Sequence, residues 1–363
     1  MVLLSVGLAV PTLASPQAPD EREWPLDSGH FDAVKAWTLS RGEGVTVAVI
    51  DTGVNAHHPD LTGRVLPGVD ITQGAANGQV DVSSDSHGTS VAGVIAGNGG
   101  VTGHGMSGLA PAARILPVRV SNGETITALP LAQGIVWAVR HGAGVINVSM
   151  GMTAADPQVR EAVVFAEAHN VVMVAAAGND GDTGNQAEYP AAFPGVLAVA
   201  GSDRMGGEWI HSESGPFVSL SAPATAIWSV KSGGGYLTAD GTSYAAPYVA
   251  AAAALLRAKY PEETAGQIIA RLIGSADRPG GSTGRDDRFG FGIIDPVKAL
   301  EATVPSASSN PLMTASAKVP EHRSATGGGS FAFRATVVAS VAGALAVAIA
   351  SFVIARRRRA AAA

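Results

Sequence analysis

The sequence predicts an α/β fold in which a mainly parallel sheet is flanked by helices on both faces, three layers in all, with one transmembrane helix appended at the C-terminal end. Three observations carry that expectation. Short apolar runs alternate with helical patterns between Phe31 and Val304. An uncharged apolar stretch lies close to the C-terminus. Charged residues make up only 15 % of a chain that holds 45 glycines, a composition suited to close packing of strands against helices.

The strand runs come first. Val45 to Ile50, Ile115 to Val120, Val145 to Val148, Val171 to Ala176 and Val196 to Ala200 are short, apolar and rich in Val and Ile, as strands buried on both faces are. Between them, Leu131 to Arg140 and Val159 to Ala168 carry apolar residues at helical spacing. The second of these has Asp156 as its expected N-cap and Pro157 at the first helical position. Ligands in such folds bind beyond the carboxyl ends of the strands, so the polar residues standing there are the candidates for chemistry.

Three segments supply them. Asp51 closes the run VTVAVI and precedes Thr52-Gly53. His87 opens the small-residue helix HGTSVAGVIAG. Ser243 lies in GTSYAAPYVAAAAALL, where Gly241 permits a tight turn and a long helix follows; Pro247 is expected to be tolerated in the opening turn. A serine hydroxyl is a weak nucleophile until an imidazole takes its proton, and the imidazole needs a carboxylate to fix its tautomer. Asn179, at the end of VVMVAAAGN, offers an amide donor for the oxyanion formed on attack. Taken singly, Asp51 reads as a strand-end turn residue and Ser243 as a helix N-cap; together the three residue types make a nucleophilic unit. The chain has no cysteine, which excludes a thiol nucleophile, thiolate metal sites and disulfides.

VAVIDTGV, HGTSVAG, AAAGN and GTSYAAP, in that order, resemble the four motif segments of the subtilisin-like serine proteases, and the chain order Asp, His, Ser is that family's. The resemblance implies a serine endopeptidase with Asp51, His87 and Ser243 as catalytic residues and Asn179 in the oxyanion hole. It also implies that Ser149, Met150 and Gly151 form one wall of the primary specificity pocket and Ala176, Ala177 and Gly178 the other. GVINVSMG, AEYPAAFPGVLAVAG and FGFGIIDPVKAL are further similar to the mycosins, membrane-anchored subtilisin-like proteases associated with type VII secretion. The chain departs from those patterns in lacking cysteine and in carrying Ala224 after Pro223, where a glycine is usual.

The ends fix the expected location. Val2 to Val10 is apolar, and Thr12-Leu13-Ala14 places small residues where a signal peptidase cuts, so residues 1–14 are expected to be an export signal and 15–30 a short extension packed on the catalytic domain. The stretch before Val45 is too short for the folded pro-region that secreted relatives carry. Residues 31–303 form the peptidase domain and 304–334 a linker rich in Pro, Ser and Gly. Ala335 to Ala355 holds 21 uncharged residues, about 31 Å of helix against a hydrocarbon core of about 30 Å. Arg356 to Arg359 follow in the tail, 356–363, and argue that this tail is cytoplasmic and the catalytic domain outside.

The formal net charge of −6 argues against nucleic acid as a partner. Protein or peptide substrates are expected and, through the mycosin resemblance, a secretion-complex partner; a structural subunit of such a complex is the alternative reading. No cofactor and no metal are expected. Asp180 to Asn185 has oxygen ligands but misses the EF-hand spacing and reads as a solvated loop. His57, His58, His104, His141, His169 and His211 read as surface or packing residues.

Overall fold

Short runs of Val, Ile, Leu and Ala bury both of their faces when they lie parallel, and such runs form the middle of a seven-stranded sheet here. The computed structural model describes residues 18–72, 77–100, 105–123, 126–281, 284–303 and 309–315. Its strands are β1 (Thr46–Asp51), β2 (Val69–Asp70), β3 (Arg114–Arg119), β4 (Val145–Val148), β5 (Val172–Ala176), β6 (Leu197–Ser202) and β7 (Val218–Pro223). They form one sheet in the order β2-β3-β1-β4-β5-β6-β7. Every neighbouring pair is parallel. A separate antiparallel hairpin joins β8 (Ile227–Val230) to β9 (Tyr236–Ala239).

Among the described residues the helices longer than four residues are α1 (Ala33–Leu39), α2 (His87–Ala96), α3 (Ala128–Arg140), α4 (Pro157–Ala168), α5 (Thr242–Lys259), α6 (Ala265–Ser275) and α7 (Pro296–Glu301). The pleat deals alternate strand residues to opposite faces. Val47 and Val49 join one core with α2 and α5, while Ala48 and Ile50 join the other with α3 and α4. The expected three layers are therefore present. Helix α5 is apolar all round and buried from Thr242 to Leu256. Its run of alanines lets it lie close to the sheet, as a central helix must.

The sequence-predicted strands fall where expected to within one or two residues, and Asp156 caps α4 by accepting from Gln158 N (2.8 Å) and Val159 N (3.3 Å). Ala224, despite replacing the usual glycine, has no positive φ. Its amide donates to Ser202 O (2.9 Å) and its carbonyl accepts from Gly241 N (2.8 Å), so the loop holds without glycine's freedom.

Chain ends pack on this body. Trp24 and Leu26, within the expected N-terminal extension, belong to the α2–α5 core. So does Leu312, inside the stretch expected to be linker, and buried Asn310 donates to Gly195 O (2.9 Å). Among the described residues no helix is long and apolar enough to cross a membrane. The expected signal (1–14), membrane span (335–355) and basic tail (356–363) lie outside the described residues.

Strand order sets the position of the site. From β1 the chain crosses to the edge strand β2, comes back to β3 between them, then passes to β4 and continues outward to β7 on the other side. The crevice beyond the carboxyl ends of β1 and β4 is thus the topological switch point, where open α/β sheets hold ligands.

Candidate active site

Asp51 is the last residue of β1 and is wholly buried. Its Oδ1 accepts from Thr52 N (2.8 Å) and from His87 Nδ1 (2.8 Å), while Oδ2 is buried without a hydrogen-bond partner. A carboxylate so placed selects the imidazole tautomer that carries its proton on Nδ1 and turns Nε2 outward.

His87 is held by the first turn of α2. The organising group there, which the sequence reading missed, is Asp81. Its Oδ1 accepts from Ser83 N (3.1 Å) and Ser83 Oγ (2.7 Å), and its Oδ2 from Thr89 N (2.8 Å) and Thr89 Oγ1 (2.6 Å). Ser83 Oγ in turn accepts from His87 N (2.9 Å). Thr52 Oγ1, 2.9 Å from Asp81 Oδ1, accepts from Gly88 N (3.1 Å) and so ties the end of β1 to the same helix start. A carboxylate that satisfies free N–H groups of a helix N-terminus is favoured there by the helix dipole as well. The sequence signal was available: Asp81 and Ser83 stand shortly before the helix that carries Thr89.

Ser243 is the second residue of α5, after Gly241 at φ 150°. Pro247 lies one turn further on, past the N–H groups that a helix start leaves free, so its location in the opening turn does not explain its tolerance. It lacks the N–H that would pair with the Ser243 carbonyl. Ser149 Oγ supplies the missing donor at 2.8 Å, and is itself bonded by Asn147 Nδ2 at 2.9 Å. The Ser149 side chain therefore positions α5 and is not open to a ligand; Met150 and Gly151 beside it are half-buried. Ala176, Ala177 and Gly178, expected to form the opposite wall, are buried.

Asn179 follows β5. Its Oδ1 accepts from Thr242 N (2.9 Å) and Thr242 Oγ1 (2.9 Å). Two donors on one atom identify it as the oxygen, which leaves the Nδ2 donors free. His87, Asn179 and Ser243 line one cleft of about 530 Å³, together with Tyr244, Lys231 and residues 237–240. The Tyr244 ring meets His87 edge-on, with centroids 6.1 Å apart. No hydrogen bond joins His87 to Ser243 among the described residues; catalytic contacts in unliganded sites often close only on binding substrate.

Burial opposes a charge on His87, but the adjacent Asp51 carboxylate outweighs it and holds the pKa above the ordinary 6.5. No other described histidine lines this cleft. His58 accepts from Asp60 N (3.2 Å) and reaches Gly235 O (3.2 Å), His141 and His169 close α3 and α4, and His211 pairs with Asp182 (2.9 Å). His104 lies outside the described residues. Among the described residues no group of three or more acidic or histidine side chains could hold a metal ion. In the loop after Asn179, Asp180 O accepts from the amides of Thr183, Gly184 and Asn185.

An imidazole tied to a buried carboxylate, beside a helix-start serine and a free amide, belongs to a serine endopeptidase, and relatives bear out that class. Thermitase of Thermoactinomyces vulgaris is 37 % identical over 255 residues, covering 69 % of this chain and 88 % of its own. Subtilisin DY of Bacillus licheniformis is 36 % identical over 258 residues, covering 70 % and 90 %. Among solved structures, MycP1 with its N-terminal propeptide removed is similar with a TM-score of 0.68 at 32 % identity, over 78 % of this chain and 98 % of its own. The MycP3 protease from the type VII (ESX-3) secretion system gives 0.66 at 32 % identity, over 79 % and 89 %. The chain belongs to the subtilase family, peptidase S8, whose profile matches residues 42–292.

The Asp51–His87 contact makes a prediction about titration. In NMR titrations, with the resonance assigned by its loss in His87→Ala, His87 titrates above 6.5, and Asp51→Asn lowers its pKa. By linkage the pair stabilises the fold fully below 6.5, and that contribution fades as pH rises through the raised value. Titration at or below 6.5 in the unsubstituted chain contradicts the assignment.

Proposed function

We propose that Ser243 is the nucleophile, His87 the general base and acid, Asp51 the carboxylate that orients His87, and Asn179 a donor to the oxyanion. The observation that carries this reading is the buried Asp51 bonded to His87 Nδ1 at 2.8 Å, with His87, Ser243 and Asn179 on one cleft. In the reaction His87 Nε2 takes the Ser243 proton as Oγ attacks the peptide carbonyl carbon. Negative charge builds on the carbonyl oxygen, where Asn179 Nδ2 donates. The tetrahedral adduct then collapses to an acyl-enzyme and expels the amine, which receives the proton from His87. Water, deprotonated by the same imidazole, hydrolyses the ester and restores Ser243. Because the base works only when neutral, its raised pKa makes activity climb on the alkaline side of neutrality.

The proposed setting is the outer face of a cell membrane. Residues 1–14 direct export, 15–30 pack on the peptidase domain of 31–303, 304–334 link it to a membrane helix at 335–355, and 356–363 remain in the cytoplasm. The apolar stretch followed by four arginines supports the anchor and its direction. Similarity to MycP1 and MycP3 supports exported proteins of a type VII secretion system as substrates, and its membrane complex as partner.

Two experiments test these parts separately. In single-turnover kinetics on one peptide, Ser243→Ala and His87→Ala each abolish most turnover, and their losses do not add. Asn179→Ala lowers kcat about 10²–10³-fold, the loss known for a subtilisin's own oxyanion asparagine, with KM little changed. Full activity in Asn179→Ala removes it from the mechanism. For topology, protease added outside intact cells releases the catalytic domain by cutting between Pro305 and Ser330; protection until the membrane is dissolved reverses the orientation.

A further inference from the structure

The segments 149–151 and 176–178, expected to wall the primary specificity pocket, both bond to the start of α5, and the glycine at the end of each faces a carboxylate. Tyr189 and Met152 exchange backbone hydrogen bonds (2.8 and 2.9 Å), which lays Glu188 beside Gly151. A side chain at 151 would run into the Glu188 carboxylate. On the other segment, Glu213 N donates to Gly178 O (3.1 Å), and a side chain at 178 would run into the Glu213 carboxylate. Both glycines thus leave open the space that these two acids occupy.

Glu213 is 2 % exposed, and its Oε2 has no hydrogen-bond partner. Among the described residues neither Glu188 nor Glu213 forms an ion pair. The Gln186 backbone bonds the Glu213 carboxylate, but a buried carboxylate with one oxygen unbonded and no counter-charge is costly, and proteins rarely keep one without a use. Burial first, then the charges of Glu188 and Asp180, push Glu213 up to about 8; burial and then Asp180 raise Glu188. Both shifts report a pair of acids short of a counter-charge.

We infer that Glu188 and Glu213 form the acidic end of the substrate slot and select a Lys or Arg side chain on the residue whose carbonyl Ser243 attacks. The inference rests on the proposed reading of Ser243 and Asn179, because a carbonyl held between them directs the neighbouring side chain past Gly178 and Gly151. An ammonium or guanidinium there donates to the free Oε2 and neutralises the pair. A neutral side chain of equal length leaves both acids without a counter-charge, Glu213 buried, which is the stronger source of discrimination.

The test uses the full-length chain and peptide nitroanilides that differ only in the residue before the scissile bond: Lys, Arg, norleucine or Glu. The expected kcat/KM for Lys exceeds that for norleucine by about tenfold or more. The ratio collapses toward one in Glu213→Gln and in Glu188→Gln, and Glu188→Lys shifts preference toward Glu. Should Glu213→Gln fail to fold, Glu188→Gln, at the half-exposed position, carries the same comparison. A second readout needs no catalysis: p-aminobenzamidine fluorescence on the Ser243→Ala chain reports amidine binding, which either Gln variant weakens. Norleucine cleaved as well as Lys, or a ratio that neither Gln variant changes, overturns the inference and leaves the nucleophile reading standing. Glu-dependent amidine binding with no cleavage of any peptide overturns the nucleophile reading and leaves the acidic slot standing.

Discussion

A carboxylate with no exposure to water sits at the end of β1, and the rest of the site is arranged around the proton it holds in place. Asp51 has given up its hydration, and His87 Nδ1 at 2.8 Å together with Thr52 N offsets that loss. The contact exists only because α2 starts beside the end of β1. That start is pinned by Asp81, which gathers Thr52, Ser83 and Thr89, and through Ser83 reaches the His87 amide. Two carboxylates therefore divide the work: one faces the imidazole ring, and the other fixes the helix that carries it.

The serine is placed by an equally specific local solution. Pro247 leaves the Ser243 carbonyl without its helical partner, and Ser149 replaces that partner from the end of β4. Asn147, wholly buried, supports Ser149 in turn. On the other side, Thr242 turns Asn179 so that its oxygen faces the helix start and its amide is left for the cleft. Strands β1, β4 and β5 thus each contribute from their carboxyl ends, which is why a parallel sheet with a switch point at β1 suits this chemistry.

Much of this was legible in the sequence, for identifiable reasons. The strands that flank β1 are continuous apolar runs, and Asp156-Pro157 marks the start of α4 by two independent helix signals. Asp51, His87, Asn179 and Ser243 each sit at a junction of strand or helix that the pattern located. What escaped was either very short or polar. β2 has two residues, and β7 interleaves Ser219 and Ser221 with its apolar positions although both serines are buried. Helix α6 carried a readable capping box in Thr264 and Gln267 that was passed over. Glu188 and Glu213 could not be placed, because their meaning lies in contacts between segments distant in sequence, whereas Asp81, bonded to nearby Ser83 and Thr89, was legible and overlooked. Pro247 was located, but the reason it is tolerated became visible only through Ser149.

The account makes Ser243 reactive because His87, held by Asp51, takes its proton. The most direct test is intact-protein and peptide mass spectrometry after treating the full-length chain with a fluorophosphonate. The account predicts one adduct, on Ser243, whose rate of formation falls steeply in His87→Ala and in Asp51→Asn. An adduct on another residue, or labelling of Ser243 at an unchanged rate in His87→Ala, would contradict it.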